Sequence, residues 1–89
     1  MKAVITVTGK DTVGIIADVA NVCAECNANI QDITQSVLGE YFAMIMLANI
    51  EELSVPFLSF VDRLEQLGTR RGLAIHAMHE DIFNTMHHI

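Results

Sequence analysis

A change of rhythm near the N-terminus constrains this chain more than any other feature. From Lys2 to Thr8, apolar residues alternate around Ala3, Ile5 and Val7, the period of a strand with one buried face. Beyond Gly9 and Asp11 the interval changes. From Gly14 to about Asn27, Ile16, Val19, Ala20 and Cys23 recur at the spacing of one helix face. A strand that passes through a short Gly-containing loop into a helix leaves backbone N–H groups unpaired at the helix start. Those donors and the positive end of the helix dipole suit a carboxylate or phosphate. The run from Thr6 to Asp18 is where a ligand site is expected first.

The rest of the chain completes a recognisable order. Asn27-Ala28-Asn29 closes the first helix, Asn being tolerated in the left-handed conformation that helix ends use. Ile30 to Leu38 reads as a second strand, with Ile33 and Val37 on one face, and Gly39-Glu40 supplies a tight turn into an apolar third strand, Tyr41 to Ile50. Ser54 is placed to cap a second helix, with Pro56 in its first turn. Phe57, Phe60, Val61, Leu64 and Leu67 form its apolar face and Gly68 is expected to stop it. Leu73 to Met78 is the fourth strand, and Ile82, Phe83 and Met86 predict a short terminal helix. The order βαββαβ, joined by short connections, implies an α+β, ferredoxin-like sandwich. Its four-stranded antiparallel sheet carries both main helices on one face. One domain would span residues 1–89, with its core in 2–79 and a helical tail in 80–89.

In the third strand, Phe42, Met44 and Met46 point one way and Ala43, Ile45 and Leu47 the other. Two helices cover only one sheet face, and an antiparallel sheet in water alternates apolar with polar on its other face. The terminal helix or a second subunit is therefore expected over the open side. With 89 residues and 52% hydrophobic content, much apolar surface must be hidden in a small volume, which points to a homodimer or higher oligomer. The formal charge of −6, from 5 Lys+Arg against 11 Asp+Glu, argues against nucleic acid or an anionic membrane as partner. No apolar run has transmembrane length and the N-terminus reads as a strand, so a cytoplasmic protein is expected.

Gly9, Asp11 and Gly14 form Gly-x-Asp-x-x-Gly, followed by Ile15-Ile16; Asn29-Ile30 opens the second strand, and Gly68 with Gly72-Leu73 leads into the last. On these residues the chain resembles the ACT domain over roughly 2–79. It is similar to the small, uncharacterised bacterial and archaeal ACT proteins and, more distantly, to the glycine-cleavage regulator group. Many members carry Arg or Lys and then Pro before the second glycine, where this chain has Thr12 and Val13. The resemblance implies a non-catalytic regulatory module that binds an amino acid or similar carboxylate metabolite as a homodimer, without a cofactor. The site it implies comprises Gly9, Lys10, Asp11, Thr12, Val13, Gly14 and Ile15 with Asn29 and Ile30, near a subunit boundary. Backbone donors around Val13 to Ile15 would hold a carboxylate, and Asp11 and Asn29 an ammonium group. Alternatively, the glycines only make the turn, Asp11 caps the first helix and Asn29 ends it. The module would then be a ligand-free dimerisation or adaptor domain.

Other constellations carry less. Cys23-Ala-Glu-Cys26 lies near the C-terminal end of the first helix, where the dipole disfavours a thiolate, and reads as buried core. His76 and His79 fall on opposite strand faces, and His87 and His88 diverge on a helix, so they do not chelate one ion within a chain. They read as solvated or interface histidines, with a metal site shared across a dimer as the alternative. A phosphate-gripping catalytic loop would need an arginine, and the first loop has only Lys10. The first strand lacks the aromatic residues on which an RNA-binding sheet stacks bases.

Overall fold

A computed structural model describes residues 1–10 and 12–86. Its elements are β1 (Lys2–Lys10), α1 (Ile15–Glu25), β2 (Asn29–Leu38), β3 (Tyr41–Asn49), α2 (Phe57–Arg71), β4 (Ala74–His79) and α3 (Glu80–Met86). The strands form one antiparallel sheet in the order β2-β3-β1-β4, so β2 and β4 are the edges. This is the ferredoxin-like arrangement that the sequence implies, with the terminal helix added. His87 and His88 lie outside the described residues, as does Asp11.

The strand period places Ala3, Ile5 and Val7 of β1 beside Ala48, Met46 and Met44 of β3, and all six are buried. They meet Val19, Val22 and Cys23 of α1 and Phe60, Leu64 and Leu67 of α2 in one core. Burying a side chain of this size stabilises the fold by about 1.5–3 kcal/mol each, before ordering entropy is counted. Asn27, at φ 61°, turns the chain out of α1, and its Nδ2 donates to the Glu52 carbonyl oxygen at 2.7 Å.

Two helix boundaries differ from the sequence expectation. Ser54 does not cap α2: the N-cap position is Pro56, and its carbonyl accepts from the amides of Ser59 and Phe60. Gly68 does not stop the helix. It lies inside α2, which runs on to Arg71 and ends at Gly72 in the left-handed conformation, φ 71°. The reason is steric: a Cβ at Gly68 would sit 2.6 Å from the Leu73 carbonyl oxygen. Glycine is there so that β4 can approach α2 closely.

Among the described residues the open face is covered only at one end. α3 packs on β1 and β4, and Val4, which faces away from α1 and α2, is buried. Further along, Ile45 remains exposed beside Thr6, Thr8, Thr34 and Ser36, which line a shallow depression with it. β3 is apolar on both sides, but its neighbours β1 and β2 present hydroxyls on the open one. That mixture tolerates water.

Candidate functional site

β1 ends in the loop that the change of period predicted, and α1 begins after it with Gly14 at its N-cap, φ 86°. Among the described residues no side chain caps this helix. The first amides of a helix have no partner within it, so the N–H groups of Ile15, Ile16 and Ala17 lie outside the helical ladder at its positive end. Beside them is a groove of ≈ 290 Å³ lined by Thr12, Gly14, Ile15, Ile16, Ala17, Gln35, Val37 and Phe42. Its walls are therefore the start of α1 and the helix-facing side of the β2–β3 hairpin.

The hairpin brings the far wall here because its register pairs Val37 with Phe42, and Phe42 with Gly9. At Gly9 a Cβ would lie 2.6 Å from Leu73 Cδ2, the movable end of that side chain, and φ 155° adds a backbone preference for glycine. At Gly14 the constraint is backbone conformation. A Cβ there would only come within 3.8 Å of Arg71 Nη1, an ordinary contact, so it is the positive φ that favours glycine.

Of the other residues expected in the site, Lys10 turns away to Glu40, with Nζ 4.0 Å from Oε1 and both side chains exposed. Thr12 and Ile15 line the groove, while Val13 is exposed beside it. Asn29 and Ile30 are not brought together with the loop. Asn29 pairs with Asn49, which pairs with Lys2, whereas Gly9 pairs with Phe42 at the opposite sheet end. Seven residues of β1 separate the two levels, roughly 24 Å at about 3.4 Å per residue. Within one chain, Asn29 cannot share a small ligand with Gly14.

Sequence reasoning missed Gln35, Val37 and Phe42, which the hairpin register alone could have placed. It also missed Arg71, which lies in the last turn of α2. A basic residue at a helix C-terminus is the signal that was available.

A larger hollow of ≈ 620 Å³ lies toward the other sheet end, lined by Met1, Lys2, His79, Glu80, Asp81 and Ile82. Glu80 and Asp81 on its wall repel a carboxylate, whereas the described residues that line the groove at α1 include no acidic one. Size favours the hollow, and the positive end of α1 favours the groove for an anion. Cys23 and Cys26 are buried, and burial, followed by the charge of Cys26, pushes the Cys23 thiol up to about 11. A thiol held protonated is a poor nucleophile and a poor metal ligand. His79 stacks on Phe57, ring centroids 4.3 Å apart, while His76 is exposed on the other face. Among the described residues no three His, Cys, Asp or Glu side chains converge as a metal site would require.

Residues 2–77 match the sequence profile of the ACT domain. The chain belongs to the ACT domain family. It is 43% identical over 88 residues to a UPF0237 protein of Methanocaldococcus jannaschii, covering 99% of this chain and 98% of that one. An ACT domain protein from Streptococcus pneumoniae superposes with a TM-score of 0.80 at 40% identity, over 93% of each chain. A candidate glycine cleavage system transcriptional repressor gives a TM-score of 0.71 at 26% identity, over 86% of this chain and 44% of that one. At the level of the family, the ACT domain is a regulatory, ligand-binding module and is not itself catalytic. No described helix of this ACT protein is long and apolar enough to cross a membrane.

Proposed function

We propose that this ACT protein senses an amino acid or similar small carboxylate, bound in the groove at the start of α1, and does so as a homodimer. The observation that carries the reading is the N-terminus of α1, with no side-chain cap among the described residues, opening onto a groove whose described lining includes no acidic residue. The ligand carboxylate takes the amides of Ile15 to Ala17. Its ammonium group is held by the Gln35 side-chain oxygen, and a short apolar side chain lies against Val37 and Phe42. The similarity to an ACT domain protein and to a candidate glycine cleavage system transcriptional repressor agrees with a regulatory role of this kind.

The dimer follows from the edge strand. β2 is ten residues long and pairs on one side only, and Ile33, Val37 and Leu38 on it are exposed. An unpaired, partly apolar edge of that length is a template for a second strand. Two copies of β2 pairing antiparallel about a two-fold between Ile33 and Thr34 set Asn29 of one copy opposite Leu38 of the other. In that assembly Asn29 returns to the groove mouth from the second copy, which reconciles it with the site. A thermal-shift screen against the twenty amino acids, one at a time, tests the ligand. At a hundredfold excess over Kd, a ligand specific for the folded state adds about 2.7 kcal/mol of stability. Sedimentation at micromolar concentration tests the dimer. No shift with any amino acid removes the sensing function, and the exposed β2 edge then favours a ligand-free dimerisation or adaptor role. A species of one chain mass removes the dimer from either reading.

A further inference from the structure

The stretch that leads into α1 is fastened from outside by the turn between α2 and β4. Near its start, Gly9 lies against Leu73 and the Gly72 carbonyl, which a Cβ would approach to 2.6 and 3.4 Å. Near its end, Arg71 reaches three points at once. Nη1 donates to Asp18 Oδ2 at 2.8 Å, and Nη2 donates to Thr12 Oγ1 at 2.8 Å and to the Val13 carbonyl oxygen at 2.6 Å. The planar guanidinium fork makes these bonds in fixed relative directions, which a lysine cannot reproduce. Asp18 neutralises the charge and sets the fork's orientation.

The Val13 bond has a consequence for the site. A trans peptide is planar, with its C=O and N–H pointing in opposite directions. Holding the Val13 oxygen toward Arg71 therefore aims the Gly14 N–H away from Arg71 and fixes the peptide on which α1 begins. Arg71 itself is not among the residues lining the groove. We propose that Arg71 is the positioning residue of this site, holding Thr12 to Gly14 in the ligand-receiving geometry and tying that geometry to the α2–β4 turn. The inference rests on the reading of the groove as a ligand site. Binding equilibria are reciprocal, so a ligand that prefers the fastened geometry also strengthens the fastening. Occupancy is thus registered at the end of α2 and at the edge strand β4.

Amide hydrogen exchange on the full chain tests this, using Arg71→Gln, Arg71→Lys and, as control, the neighbouring exposed Arg70→Gln. The expected result for Arg71→Gln is at least tenfold faster exchange at residues 13–17, with less than twofold change across β1 and β3. Arg71→Lys falls between, and Arg70→Gln matches the parent. Equal acceleration throughout the sheet assigns Arg71 a general structural role and overturns the proposal, as does unchanged exchange at 13–17. The thermal-shift screen separates the two readings. Should no amino acid shift the parent while the exchange pattern holds, the groove reading fails and the fastening stands supported. Should an amino acid bind parent and Arg71→Gln within twofold of each other, the groove stands and the positioning role is overturned.

Discussion

Gly68→Ala opposes two effects of known size. In a helix interior the change ordinarily stabilises by about 0.8–1 kcal/mol, because alanine has less backbone entropy to lose. Here the new Cβ lies 2.6 Å from the Leu73 carbonyl oxygen, 3.1 Å from Ile75 Cγ1 and 3.4 Å from the Ile75 nitrogen. To restore even 3.0 Å, the shortest spacing real Cβ atoms show, the Leu73 oxygen must retreat by 0.4 Å (3.0 minus 2.6). It cannot do so alone, because the Leu73 amide is bonded to the Gly68 carbonyl at 2.8 Å and the segment continues into β4. Overpacking of this kind costs about 1–3 kcal/mol, and collision with backbone belongs to the upper part of that range. The clash exceeds the helix gain, leaving a net loss of about 1–2 kcal/mol. For a chain of this length that lowers Tm by roughly 5–15 °C. Urea titration followed by circular dichroism, with the slope checked for constancy, measures it. Gly72→Ala is the comparison: a Cβ there would meet no described atom within 4 Å, and its cost, about 1 kcal/mol, comes from φ 71° alone. A Gly68→Ala protein as stable as the parent, or more so, would refute the close-approach argument.

At Gly14 the stability order Gly, Asn, Ala, Val is expected, with Gly14→Ala losing about 1–2 kcal/mol through its left-handed φ, and Gly14→Val losing ligand binding as well. Denaturation midpoints give the order, and thermal shifts with any amino acid that binds the parent give the second part. Cys23→Ala should lose about 1–2 kcal/mol from the core yet keep ligand binding, with both native thiols reacting slowly with a thiol reagent. Because burial raises the Cys23 thiol from 9.0 to about 11, the folded state keeps a proton that the unfolded state releases. The corresponding stability is complete below pH 9 and is lost as pH rises toward 11, so the parent's advantage over Cys23→Ala should shrink across that window. Asn27→Ala should cost about 1–2 kcal/mol by denaturant titration, through φ 61° and the lost bond to Glu52, and Asn27→Gly less.

The fold was legible because its punctuation is local. Alternation at Ala3, Ile5 and Val7 and helical spacing from Phe57 to Leu67 each report a buried face, and Gly39 marks the hairpin directly. Gly68 misled because glycine serves two purposes, ending helices and admitting close neighbours, and only the position of β4 distinguishes them. The error at Asn29 had another origin. α1 starts at the far end of β1 and returns along the sheet, so the strand after it must begin where β1 began. Residues adjacent in the motif pattern were thus at opposite ends in space. Arg71 could not be assigned its contacts from sequence, since its three acceptors lie more than fifty residues away along the chain. A charge near a helix end says nothing of what it reaches.

The place of β1 in the sheet governs the order in which this protein can assemble. β1 is made first but sits inside the sheet, between β3 and β4, and its pairing of Ala3 with His79 joins positions 76 residues apart. During synthesis the β1–β3 ladder can form once Asn49 has left the ribosome, while the other side of β1 stays bare until residues 74–79 emerge. In that interval a nascent chain carries an unpaired inner strand with the sequence of a buried one, the species most open to capture by a neighbouring chain. The long loop closed by β1 and β4 makes this the slow pairing in folding. Chains truncated before residue 74 should therefore be the aggregation-prone ones, and restoring residues 74–79 should end that exposure.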